Sequence, residues 1–295
     1  MNSLQFKAQH VSLALLFVIA LVDTCIADTV QVPHRSSRDY GMSGVIASPQ
    51  NGSALFNNPA GMSMAYAYAA EGQYIRLAER KLNLFGLNVV DSKTQPNLAV
   101  GMAYGYGFTD ESADFDIKTQ DGRLAFSTAF IDKLVLGGLG LRYVRESVGA
   151  GEAATVYDGL TLDAGFLLNV QDRFSLGLVG QNLMKFDGLN RRLGGGMALR
   201  SRSFVIDADL LVDFDAVEDE KTLIYRFGAE VLAGDSVPLR AGFEGHQHTD
   251  EKWMSFGTGF MEKHGNRASQ INVSYRQNIE RSDDNALSIS VILFL

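Results

Sequence analysis

The chain has 295 residues, with 34 acidic against 26 basic side chains and a formal net charge of −8, a balance that argues against a nucleic-acid partner. Its one cysteine, Cys25, excludes a disulfide framework and a cysteine-based metal site. Mean hydropathy is 0.00 and no stretch beyond the N-terminus approaches ~18 apolar residues, so helical membrane insertion is excluded, whereas insertion by half-apolar strands is not.

The N-terminus carries Lys7, an apolar run from Val11 to Val22, and Cys25-Ile26-Ala27 with small residues at the −3 and −1 positions. This reads as a secretory signal peptide, residues 1–27, with the mature chain starting near Asp28. A lipoprotein acylated on Cys25 is the alternative, although Asp23 and Thr24 suit it poorly. An uncleaved anchor would need ~20 apolar residues, more than this run holds.

Residues 28–62 show no strand alternation and contain Gly52-Ser53-Ala54-Leu55-Phe56-Asn57-Asn58-Pro59-Ala60-Gly61-Met62. Asn-Pro is a turn signal, and proline fixes φ while removing a donor, so the segment ends in a defined bend. Either it is a periplasmic tail or it folds back as an N-terminal hatch.

From residue 63 to 295 the chain alternates apolar with polar or small residues in segments about ten residues long, separated by short polar turns. Behind a signal sequence this is the pattern of an all-β, single antiparallel up-and-down transmembrane β-barrel. Fourteen strands are expected: 64–76, 81–90, 97–108, 123–131, 134–145, 158–169, 173–182, 191–201, 203–214, 222–232, 238–246, 252–262, 269–279 and 286–295. Twelve is the alternative if 81–90 merges with a neighbour. In 81–90 the alternation changes phase near Phe85-Gly86, which suggests a bulge. The longest connections, 109–122 and 146–157, fall on one side of the barrel, and the tight turns at 131–133, 171–172 and 201–203 fall on the other. Long outer loops and short periplasmic turns give that phasing. A fourteen-stranded lumen is too wide for wall side chains alone to fill. Small inward residues at Ala65, Ala67, Gly101, Ala103 and Gly105 add to the space, and Ser53, Ala54, Ala60 and Gly61 suit a plug lying close to the wall.

Asn58-Pro59-Ala60-Gly61, shortly after Ser53-Ala54 and just before the first strand, resembles the hatch motif of the FadL-like and PorV-type outer-membrane barrels. Gly177-Leu178-Val179-Gly180-Gln181-Asn182-Leu183 and Pro238-Leu239-Arg240-Ala241-Gly242 are similar to mid-barrel patterns of the PorV-type branch. The resemblance implies a hatch plugging a fourteen-stranded barrel in the outer membrane of a Gram-negative bacterium. In the transport branch it implies passage of hydrophobic compounds such as long-chain fatty acids. The expected outer loops are short, and 109–122 is acidic, unlike the long helical capture loops of the transporters. That leans toward the compact branch, whose barrels serve assembly or export.

Charges expected to face inward are Asp163, Asp207, Asp209, Asp213, Arg226, Glu230, Arg240, Glu244 and Arg276. They either pair with one another and with the hatch, since confined charges need partners, or line a polar conduit or head-group site. Tyr66, Tyr68, Tyr74, Tyr104, Tyr106, Tyr143, Tyr225 and Trp253 fit aromatic girdles better than a ligand platform. His246 and His248 lack an obvious third ligand for a metal. Gly194-Gly195-Gly196 precedes no helix and reads as a strand kink rather than a phosphate loop, and Gly101, Gly105 and Gly107 read as kinks that offer lateral exits. No nucleophile elbow, P-loop or His-Glu-x-x-His motif is present, so no enzyme and no cofactor is expected. The expected partners are outer-membrane lipid and a hydrophobic small molecule in the lumen, with no nucleic acid. The expected function is a hatch-gated channel or transporter for small, fatty-acid-like hydrophobic compounds. The alternative is a non-transporting scaffold with an export-machinery partner.

Overall fold

Strands with one apolar face satisfy every backbone donor and acceptor inside a bilayer only by closing into a cylinder. A computed structural model of the chain shows that solution. It describes residues 34–295 apart from 96, 114–115, 132, 150–154, 186–187, 218–219 and 265–266. The expected signal peptide and residues 28–33 of the expected hatch lie outside the described residues.

The strands are β1 (Tyr68–Leu77), β2 (Leu82–Gln95), β3 (Leu98–Thr109), β4 (Ile117–Ile131), β5 (Val135–Val148), β6 (Thr155–Val170), β7 (Phe174–Gln181), β8 (Arg192–Arg200), β9 (Phe204–Val217), β10 (Glu220–Ala233), β11 (Val237–His246), β12 (Lys252–His264), β13 (Arg267–Asn278) and β14 (Asn285–Phe294). Each pairs antiparallel with its sequence neighbours, and β14 closes on β1 from Ala69↔Phe294 to Leu77↔Ala286. Period two sets the two faces. Leu87 is 68% exposed while the next residue, Asn88, is 4% exposed, because one points to lipid and the other to the lumen. Leu, Phe, Met and Val repeat this outward position around the wall.

Tyr74, Phe85, Phe108 and Tyr106 form a chain of rings at one end, with centroids 5.1–6.1 Å apart. Tyr66, Tyr68, Phe130 and Phe174 are exposed toward the other end, so the apolar belt is bounded by aromatics at both interfaces. At the end where β1 begins and β14 finishes, every strand connection is only two or three residues long; at the opposite end the longest runs over 182–191. In the tight 171–173 turn, Gln171 and Asp172 take φ of 52° and 55°, the left-handed geometry that joins twisted strands closely. Short periplasmic turns and longer outer loops orient the barrel. It is an outer-membrane barrel.

Several boundaries differ from expectation. The first strand starts at Tyr68 rather than 64, because a 3-10 turn spans Pro59–Ser63 and Met64 still packs on Ala60, Leu136 and Leu167 inside the barrel. There is no bulge at Phe85-Gly86. β2 keeps one register with β1 throughout, and its shift against β3 falls between Asp91 and Gln95. The apparent phase change arises because Leu82 and Leu84 point into the lumen, where both are fully buried. The outer connections are shorter than 109–122 and 146–157, since β4 begins at Ile117, β5 runs to Val148 and β6 begins at Thr155.

Residues 34–63 run inside the cylinder and nearly all are buried. Helix α1 (Ser37–Met42) has Ser36 as N-cap, and Asp39 returns the bond to the Ser36 amide (3.2 Å) in a capping box. It lies against β10–β14. Helix α2 (Gly52–Asn57) lies against β1–β4, and the 3-10 turn faces β2–β6. Apolar residues of the segment seat on the wall at separate places: Leu55 and Met62 on Val90, Ala99, Ala103 and Ala125; Ile46 on Val179, Leu211 and Ile224; Met42 and Val45 on Val205.

Candidate functional site

The lumen is the candidate site, and the inner segment is built into it. Asn58 caps the 3-10 turn by accepting from the Ala60 amide (3.2 Å). Its side-chain amide donates to the carbonyls of Ile46 (3.0 Å), Phe166 and Leu178 (3.3 Å each). Pro59 and Ala60 lie so close to the wall that a Cβ on Gly138 would overlap their backbone, and one on Gly165 would overlap the Asn58 carboxamide. Gly61 faces Pro49 in the same way. The four motif residues therefore form the bend that seats the segment on β5 and β6.

Glu244 on β11 is the hub of the first ionic cluster. It meets Arg226 and Arg276 of the wall at 2.8 Å each, Arg35 of the segment at 3.0 Å and His246 at 2.8 Å. Arg276 also stacks on Trp253, 4.3 Å from the ring centroid, so Trp253 faces the lumen and is not part of a girdle. Three guanidiniums share this one carboxylate at the outer end of the segment. His246 is engaged by Glu244 while His248 is exposed in the following turn; among the described residues no group of three or more metal-ligating side chains converges.

Below it, Glu230 of β10 accepts from Arg240 of β11 (2.6 Å) and Arg38 of α1 (3.3 Å), and Arg240 donates onward to Asn272 (2.9 Å). On β9, Asp209 receives the Ile46 amide at 3.0 and 3.2 Å. Asp207 is buried on the same face two residues nearer the periplasm. Asp213, toward the outer rim, pairs with Arg192 (2.7 Å) and Asn190 (3.1 Å). Charges at this density inside a wall need partners. Glu230, Asp209 and Asp213 divide theirs between strands and segment, whereas neither carboxylate oxygen of Asp207 is hydrogen-bonded among the described residues.

A second cluster escaped the sequence reading. Asp121 of β4 binds Arg123 (3.1 Å) and Arg142 of β5 (2.7 Å), Arg123 approaches Asp163 (3.6 Å), and Arg123 donates to the Leu55 carbonyl (3.1 Å). The expected strand 123–131 leaves Asp121 in a loop, whereas β4 begins at Ile117; the i,i+2 spacing of Asp121 and Arg123 is the signal for it in the sequence. Within the segment, Asp39 gathers Ser53 and the Asn57 amide. Hydroxyl pairs complete the seating: Ser37 with Ser288 (2.6 Å), Ser43 with Ser255 (2.8 Å) and Ser63 with Ser127 (2.8 Å). At the exposed outer rim, hydrogen bonds from Arg76 and Asn83 hold the Asp110 carboxyl below its ordinary range.

The glycines do not kink the wall. β3 keeps continuous register with β4, and with β2 from Leu82 to Asp91. Gly101 faces Met62 and Leu55, Gly105 faces His34, and Gly107 faces Leu84 and Thr119. Lateral exits at these three positions are therefore not present. β8 likewise keeps register with both neighbours through Gly194-Gly195-Gly196; the inward Gly194 and Gly196 admit Ile46 and the side chains of Leu211 and Asp209. Absent side chains make room for the segment.

Comparison with solved structures places this architecture. The monoaromatic hydrocarbon channel CymD matches with a TM-score of 0.63 at 12% identity over 90% of this chain and 97% of that one. The Pseudomonas putida toluene transporter TodX matches at 0.64 and 10%, over 90% and 99%. A Pseudomonas aeruginosa FadL homologue matches at 0.59 and 12%, over 89% and 97%. The fold is that of the FadL-like outer-membrane barrels. No protein-family model and no curated protein sequence matches the chain.

Proposed function

We propose that this FadL-like barrel is an outer-membrane channel for small hydrophobic compounds, fatty-acid-like amphiphiles among them, and that residues 34–63 are the hatch that opens it. The observation that carries the proposal is the contrast between two kinds of bonding. The wall is a closed ladder of backbone hydrogen bonds. Among the described residues the segment is held by side-chain contacts alone: hydroxyl pairs, the Arg35–Glu244 and Arg38–Glu230 ion pairs, the Ile46 amide on Asp209, Asn58 on the Phe166 and Leu178 carbonyls, Arg123 on the Leu55 carbonyl, and separate apolar seats. Exchanging such contacts for water costs about 0.5–1.5 kcal/mol for a neutral bond and about 1.5–3 kcal/mol for one to a charged group, and none of them belongs to the strand ladder, so the segment can shift while the cylinder stays whole. The likeness in fold to channels for toluene and other monoaromatic hydrocarbons supports hydrophobic cargo. The guanidiniums that outnumber Glu244 at the outer end of the segment suit an amphiphile with a carboxylate head.

Deletion of residues 28–57 tests the proposal. The expected result is an open pore in planar bilayers where the intact protein is nearly silent, together with faster toluene entry into proteoliposomes. A deleted barrel that still folds, as judged by heat-modifiable gel migration, and yet conducts no better than the intact one would overturn the hatch assignment.

A further inference from the structure

We propose that the membrane-facing side of β6–β10 carries a seat for one acyl chain of a membrane lipid. A groove of about 570 Å³ lies there, within the ~300–1,000 Å³ range of ligand pockets. Its floor is made by residues too small to fill their outward positions. Gly195 of β8 points to lipid with Leu178 as its neighbour, and Ala208 of β9 lies beside Met197. One bank is Phe166, Leu176 and Leu178; the other is Leu210, Tyr225 and Phe227. With neighbouring strands ~4.8 Å apart, the banks on β7 and β9 stand about 10 Å apart, wide enough for one chain of methylenes lying along the wall.

Three features favour a lipid chain over other occupants. The groove does not lead into the lumen: behind it Ile46 packs on Val179, Leu211 and Ile224, and β8 is hydrogen-bonded to β7 and β9 without a break. It is therefore a seat and not a passage. It opens into the apolar belt that the barrel presents to the membrane, so it is continuous with the lipid interface. Its outer end carries a polar marker, the Tyr225 phenol, whose ring crosses Gly245 and lies 6.0 Å from Phe243. Tyrosines take this position where acyl chains meet head groups. The chain would enter beside Tyr225 and run toward Leu168 and Leu176. A second barrel, convex and several strands wide, would rest on the banks without reaching the Gly195 floor.

The test is native mass spectrometry of the full protein, reconstituted in phosphatidylethanolamine–phosphatidylglycerol vesicles and released into mild detergent. The expected result is one phospholipid retained per barrel after the loosely held lipid is stripped. Gly195→Leu, whose new Cβ would sit at an ordinary 3.4 Å from Leu178, loses that lipid, and so does Ala208→Leu. Gly72→Leu, an outward glycine on β1 with Leu87 at 3.5 Å, keeps it. Heat-modifiable migration confirms each barrel; if Gly195→Leu fails to fold, Ala208→Leu decides. Equal retention in wild type and the folded groove variants overturns the proposal. So do a wild type with no bound lipid, a free fatty acid in place of the phospholipid, or a dimer that Gly195→Leu dissociates. None of these outcomes bears on the hatch, which is probed by conductance.

Discussion

Replacing Glu244 with glutamine keeps the side chain's shape and removes the charge that three guanidiniums share. Glu244 is 1% exposed and contacts Arg35, Arg226 and Arg276 at 2.8–3.0 Å. Neutralising one partner of a buried ionic group leaves the others uncompensated, a loss of about 3–5 kcal/mol. Of the three cations only Arg35 belongs to the segment and can leave without breaking a strand. Glu244→Gln is therefore expected to lower the unfolding free energy by about 3 kcal/mol and to lengthen open events in planar bilayers. Urea unfolding can be followed through Trp253, the only tryptophan, whose ring lies under Arg276. Adding Arg35→Gln should recover part of the loss, with a coupling of about 0.5–3 kcal/mol. A Glu244→Gln barrel that unfolds at the wild-type urea concentration and stays silent would refute the reasoning.

Gly138→Val drives a side chain into the backbone of Pro59 and Ala60; a loss of about 1–3 kcal/mol and new protease cleavage between residues 50 and 63 are expected. Asn58→Ala removes the cap of the 3-10 turn and its bonds to three carbonyls. The expected cost is about 1 kcal/mol, visible as faster hydrogen exchange over residues 59–63. Arg281→Ala cuts the rim contacts to Glu79, Glu251 and Asp284. Exposed pairs contribute little, so thermal stability should fall by less than about 1 kcal/mol while loops 78–81, 247–251 and 279–284 become easier to cleave. A large stability loss would mean that the rim, and not the wall, holds the barrel.

The strands were legible because lipid on one side and polar side chains on the other enforce period two along nearly every segment. Period two is lost where that contrast fails. Leu82 and Leu84 are apolar and inward, so they mimic a phase reversal. Tyr66 keeps the outward parity of Tyr68 although it precedes the strand, so β1 looked longer than it is. The inner segment has no period at all; Arg35 and Arg38 carry no signal until the wall carboxylates they meet are known, and Asp39 none until Ser53 and Asn57 of the same segment close on it. The glycines show the same limit from the other side. Gly138 and Gly165 are small because Asn58, Pro59 and Ala60 lie against them, a reason that exists only in three dimensions. The charges on β9–β11 stood out in sequence, but the Asp121–Arg123–Arg142 cluster was hidden by a strand drawn six residues short of its Ile117 start.

Movement of the proposed hatch is most directly tested by fastening it. Ser43 of the segment and Ser255 of β12 touch through their hydroxyls at 2.8 Å, so cysteines at both positions, in a chain whose Cys25 is replaced, can be joined by oxidation. Toluene entry into proteoliposomes is then measured before and after reduction. The oxidised barrel is expected to block entry, and reduction to restore it. Equal entry in both states would show that cargo passes without the hatch moving, and no entry in either state would contradict the channel itself.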